Sequence, residues 1–138
     1  MRSRSYSAIT TPHLLISISN IGERSTVPAS PYCKAKLEVQ FNDVEDIGET
    51  SFDHGIARDI ITFANKYANV TNLIIVHCGA GVSRSVAVAA ALSKIINYVD
   101  DNVYTKGLPN MLVYLTILDT YFMNKQLDKD WPKLQYLR

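Results

Sequence analysis

The sequence predicts an α/β domain, a small and largely parallel central sheet flanked by helices, with a loop between a central strand and a helix as its most informative segment. Three observations carry this expectation. The runs Leu14-Leu15-Ile16-Ser17-Ile18 and Leu73-Ile74-Ile75-Val76 are short and almost wholly apolar, as strands covered on both faces are. Longer segments between and after them place apolar residues three or four apart, the spacing of a helix face. Strands that alternate with helices in this way favour a parallel sheet.

The elements follow in order. Residues 1–12 are polar and read as a loose lead-in, and residues 14–18 as the first buried strand. Gly22, Pro28 and Pro31 make the next stretch a loop. Leu37, Val39 and Phe41 alternate with Glu38 and Gln40, the period of two expected of a strand with one covered face. An acidic loop follows, with Asp43, Glu45, Asp46, Glu49 and Asp53 around Gly48, and Thr50 or Ser51 is placed to cap the next helix. Ile56, Ile60, Phe63, Ala64 and Tyr67 fall on one face of that helix. Residues 73–76 read as a central strand, and residues 86–98 as a helix apolar nearly all round. Pro109-Asn110 opens a last helix carrying Leu112, Leu115, Leu118 and Phe122. Trp131 and Pro132 fit either a loop or a short helix.

Composition narrows the function. The 138 residues suit one domain over the whole chain, and 47% hydrophobic with 20% charged residues is an ordinary globular balance. Fourteen Lys and Arg against thirteen Asp and Glu leave a net charge of +1, which speaks against a general nucleic-acid or membrane binder. Two cysteines, Cys33 and Cys78, are too few for a disulfide framework and point to a reducing compartment, the cytoplasm. No apolar run approaches the ~20 residues that span a bilayer. No His/Cys/Asp/Glu cluster has metal-ligand spacing, so neither metal nor cofactor is expected.

The chemistry concentrates in His77-Cys78-Gly79-Ala80-Gly81-Val82-Ser83-Arg84-Ser85, between a buried strand and a buried helix. A loop in that position turns backbone N–H groups inward, and the helix behind it adds its positive end, which together make an anion cradle. Gly79, Ala80 and Gly81 allow a tight curl, with Val82 and Ser83 completing the cradle, and Arg84 brings a planar fork of donors matched to phosphate oxygens. Cys78 at its base is expected to be a thiolate nucleophile. The alternative, an inert buried thiol beside a helix-start charge, has to treat this whole pattern as coincidence.

At these residues the chain resembles the cysteine-dependent protein tyrosine phosphatase superfamily, whose signature is His-Cys, five residues, Arg, then Ser or Thr. The run from Ala80 to Ser85 is most similar to the dual-specificity branch, and Pro109-Asn110 is a pairing that branch also shows. The resemblance implies that Cys78 forms a thiophosphoryl intermediate, Arg84 binds the phosphoryl oxygens, and Ser85 hydrogen-bonds the departing thiolate. His77 orders the loop, and Asn110 is a supporting residue. The family takes its general acid from a loop directly after an upstream strand, which implies Asp43, with Asp46 as competitor. Glu45, Glu49 and Asp53 read as solvated surface, and no Trp-Pro-Asp triplet is present. Some relatives protect the nucleophile as a disulfide, for which Cys33 is the only candidate partner; an idle thiol is the simpler reading.

The implied substrate is a phosphorylated protein or peptide carrying phosphotyrosine, and also phosphoserine or phosphothreonine. The signature loop holds no Lys for additional phosphates, and the acidic loop repels polyanions. A phosphoinositide or RNA 5′-phosphate substrate, a phosphate-binding module without turnover, and an arsenate-reducing or sulfur-transfer enzyme are the alternatives.

Overall fold

The structure, a computed structural model, describes residues 6–25, 27–71, 73–78, 83–97 and 109–127. The described elements are β1 (His13–Ser19), β2 (Cys33–Gln40), α1 (His54–Lys66), β3 (Ile74–Cys78), α2 (Ser83–Asn97) and α3 (Met111–Leu127), preceded by a single 3-10 turn at Tyr6–Ala8. The three strands form one parallel sheet in the order β2-β1-β3. The α/β class and parallel sheet expected from the sequence are therefore present.

The central strand is β1. All seven of its residues are buried, whereas Ile74 to His77 of β3 are only half-buried, and β3 is an edge strand among the described residues. This corrects the expectation that residues 73–76 form the centre. Both runs are apolar on two faces, and what separates them is their cover. Leu14, Ile16 and Ile18 face the main core. On the opposite face Ser17 Oγ meets Ser25 Oγ at 2.8 Å, so the loop after β1 folds back over the strand.

β2 starts at Cys33, four residues before the clear alternation, and Phe41 lies just past it, still bonded through its N–H to the Ser19 carbonyl. Helix α1 buries Ala57, Ile60, Ile61, Phe63 and Ala64. Its cap is Asp53, whose carboxylate accepts from Ile56 N at 2.9 Å, and not Thr50 or Ser51. Ser51 Oγ instead closes the preceding turn on Gly48.

α3 packs against both α1 and α2, and α2 against β3. The core face of α3 is Val113, Thr116, Ile117, Thr120 and Tyr121; Leu112 and Leu118 are half-buried, while Leu115 and Phe122 are exposed. The helix is apolar nearly all round, so its sequence does not mark which side is covered. The lead-in is not wholly loose either: Tyr6 is tied to His13 at the start of β1. Tyr98 and residues 128–138, with Trp131 and Pro132, lie outside the described residues. Among the described residues no helix is long and apolar enough to cross a membrane.

Candidate active site at the carboxyl edge of the sheet

All three parallel strands end at one edge, at Ser19, Gln40 and Cys78, the edge where ligands of α/β sheets bind. Cys78 is the last residue of β3, pairs with Ile18 and is buried. His77 before it is half-buried. Gly79, Ala80, Gly81 and Val82 lie outside the described residues. Ser83, Arg84 and Ser85 form the first turn of α2, so that helix begins three residues earlier than its apolar pattern suggests. Its positive end therefore lies within a few residues of the Cys78 thiol.

Arg84 is 3% exposed. Its Nη1 donates to Asn20 Oδ1 at 2.8 Å and to the Phe41 carbonyl at 2.9 Å, and its guanidinium carbon lies 5.9 Å from the Phe41 ring centre. Its Nε is buried without a hydrogen-bond partner. Among the described residues no carboxylate pairs with it. The Asn20 amide is positioned by a tight turn, closed by Glu23 N on the Asn20 carbonyl at 3.0 Å. Gly22 takes the third place in that turn with φ +86°, a region suited to glycine. Gln40 ties the turn to β2, accepting from Gly22 N and donating to the Glu23 carbonyl.

Asp43, two residues past Phe41, stands at the same edge. Its Oδ1 accepts from Ser83 Oγ at 3.2 Å and from Asn110 Nδ2 at 2.8 Å. Asn110 is fully buried, and its bonds tie several elements together. Its Nδ2 also donates to the Val44 carbonyl, its Oδ1 accepts from Val113 N as the cap of α3, and its N–H donates to the Ser83 carbonyl. The acid loop and the starts of α2 and α3 are thereby held at one point. Asp46, the competing acid, lies further along the loop and is exposed, as Asp43 is. Glu45, read from the sequence as plain surface, accepts from Met111 N at 2.9 Å and so seats the loop on α3.

No protein-family model matches the chain, and no curated protein sequence matches it.

The sequence reasoning missed Asn20, Gly22 and the Phe41 carbonyl. A glycine after a strand is a turn signal, but nothing in the residue pattern ties Asn20 to an arginine 64 positions later. Cys33 belongs elsewhere. It pairs with His13 at the start of β1, while Cys78 pairs with Ile18 near the end. Five residues of strand separate these levels by roughly 16 Å, far beyond the ~7 Å between Cα atoms that a disulfide tolerates. A protective Cys33–Cys78 bridge is thus incompatible with this fold. His13, which has no partner apparent in the sequence, is fully buried. Its Nδ1 donates to the Thr11 carbonyl at 2.7 Å, so its Nε2 accepts from the Tyr6 hydroxyl at 2.6 Å. His54 is exposed, as expected, and pairs with Asp119 at 3.0 Å.

Proposed function

We propose that this chain is a cysteine-dependent phosphatase of the dual-specificity type, hydrolysing phosphotyrosine and also phosphoserine or phosphothreonine in proteins or peptides. The observation that carries the reading is the Arg84 guanidinium. It is a buried cation, steered by an amide and a carbonyl, with Nε unpartnered, in the first turn of the helix that follows Cys78 at the end of β3. A buried charge without a counterion is costly, and an oxyanion on the free side of the fork offsets that cost. In this reading residues 79–82, between β3 and α2, supply the phosphate-binding backbone.

The Cys78 thiolate attacks phosphorus, forming the S–P bond as the bond to the leaving oxygen breaks. Asp43 gives that oxygen its proton. Water then attacks the cysteinyl phosphate, Asp43 takes a proton back, and the thiolate departs with help from Ser85. The balance is one ester and one water to one alcohol or phenol and inorganic phosphate. Arg84 supports the phosphoryl charge throughout. A nucleophilic thiol at the centre suits the reducing cytoplasm.

The test is hydrolysis of p-nitrophenyl phosphate by the wild type and Cys78→Ser. The variant is expected to lose turnover while still binding vanadate or phosphate, because only the nucleophile is removed. Turnover within tenfold of wild type overturns the mechanism. A wild type that binds phosphate without hydrolysis marks a binding module instead.

A further inference from the structure

A groove of about 540 Å³ lies between the start of α1 and the outer face of α3, lined by His54, Leu115, Thr116, Leu118, Asp119 and Phe122. Leu115 is 55% exposed and Phe122 38% exposed, although both are large and apolar. Two elements of the candidate site, α3 and the acid loop, run on into the groove. Along α3, Leu115 follows Met111 by one turn, and Met111 is itself 42% exposed and bonded through its N–H to Glu45. On the other side, the acid loop runs directly from Asp43 to the Asp53 cap beside His54.

Charge adds a direction. Glu45, Asp46, Glu49, Asp53 and Asp119 are exposed along this path, with His54 and Arg58 as the basic groups of the α1 wall. His54 is already paired to Asp119, and Arg58 donates to Asn124. The surface is thus apolar at its floor and acidic at its margin. Apolar chain with basic residues fits it, and a polyanion does not.

We propose that this groove docks the polypeptide on one side of the phosphoresidue, an extended segment with an apolar anchor and an adjacent Lys or Arg. The proposal rests on the phosphatase reading for the position of the phosphate and names the substrate features beyond it. At ~1.5 Å per helical residue, the groove begins roughly 8 Å from Asn110 and ends roughly 18 Å away. An extended peptide advances ~3.3 Å per residue, which puts the anchor roughly three to five residues from the phosphate.

The experiment uses the full chain and fluorescently labelled phosphotyrosyl peptides. One is a short peptide with Gly and Ser flanks; two others extend it, towards the amino or the carboxyl end, with Leu and Lys three to five residues away. Binding is read by fluorescence anisotropy, with p-nitrophenyl phosphate turnover measured in parallel. One of the extended peptides is expected to bind roughly tenfold or more tightly than the short one, the usual worth of an apolar anchor. Leu115→Glu should abolish that advantage and leave p-nitrophenyl phosphate turnover unchanged. Equal binding of all three peptides to the wild type, a comparison that needs no variant, overturns the docking site. So does an advantage that survives in a folded Leu115→Glu chain. A dimer that Leu115→Glu splits without altering peptide binding assigns the face to a second copy and overturns it too. Tighter binding of an extended peptide without any p-nitrophenyl phosphate turnover sinks the phosphatase reading and leaves the docking site standing.

Discussion

An arginine buried against a carboxylate is neutralised, whereas one held by neutral oxygens keeps its charge for a ligand. Arg84 is of the second kind, since the Asn20 amide and the Phe41 carbonyl orient Nη1 without cancelling its field. Asp43 is also held by neutral groups, since Ser83 and Asn110 both donate to Oδ1, and the phosphatase reading makes this carboxyl the proton donor. Asp43→Asn is therefore expected to lower kcat for a phosphotyrosyl peptide by roughly 10²–10⁴-fold. The loss should shrink for an aryl phosphate whose leaving group is acidic enough to depart unprotonated. Asp46→Asn, assayed beside it, should change neither rate by more than about twofold, as a solvated surface charge. The reverse pattern moves the proton donor to Asp46. The placement of Cys78, Arg84 and Asp43 at one sheet edge was legible in the sequence because each ends or directly follows a recognisable strand or opens a helix. Their supports were not, because the Phe41 contact is made by a backbone carbonyl and Asn20 is remote in sequence.

At the scale of elements, the ends proved harder to read than the middles. Hydrophobic spacing located α1 and α2, but α2 starts at Ser83, ahead of its apolar run, and α1 is capped by one of the acids read as surface. The amino-terminal turn shows how a polar segment becomes attached. Burial, and then the neighbouring Cys33 thiol, push the Tyr6 hydroxyl up from 10.0 to about 12. The neutral phenol is the form that donates to His13, so ionisation breaks the tie. Because the folded value is the higher one, the contribution is complete below pH 10 and fades as pH rises towards about 12. Tyr6→Phe should cost about 1–3 kcal/mol near neutral pH, the usual penalty when a buried acceptor such as His13 Nε2 loses its donor. In thermal unfolding followed by circular dichroism, the gap between wild type and variant should close between pH 10 and 12. A gap that stays constant across that window refutes the tie.

Across the whole molecule, one hydrophobic cluster joins Leu14, Ile16 and Ile18 of β1 to all three helices, and α3 is the wedge that holds α1 and α2 together. The parallel α/β class was legible because alternating strands and helices leave few other architectures. The strand order was not, because the loop that returns to Ser17 of β1 is polar and its sequence gives no sign of folding back. The orientation of α3 was equally hidden, and it is open to direct measurement. Ile117 is fully buried in the cluster, whereas Leu115, two residues away, is mostly exposed. Ile117→Ala is expected to destabilise the fold by about 2–5 kcal/mol through lost burial and a residual cavity. Leu115→Ala should stay within about 0.5 kcal/mol, as an exposed substitution outside any packed contact. At roughly 3–5 °C per kcal/mol for a chain of this size, the first variant should melt roughly 6–25 °C below wild type and the second within a few degrees. Equal losses from the two would mean that both sides of α3 are covered, which would remove the open face from which the docking groove is argued.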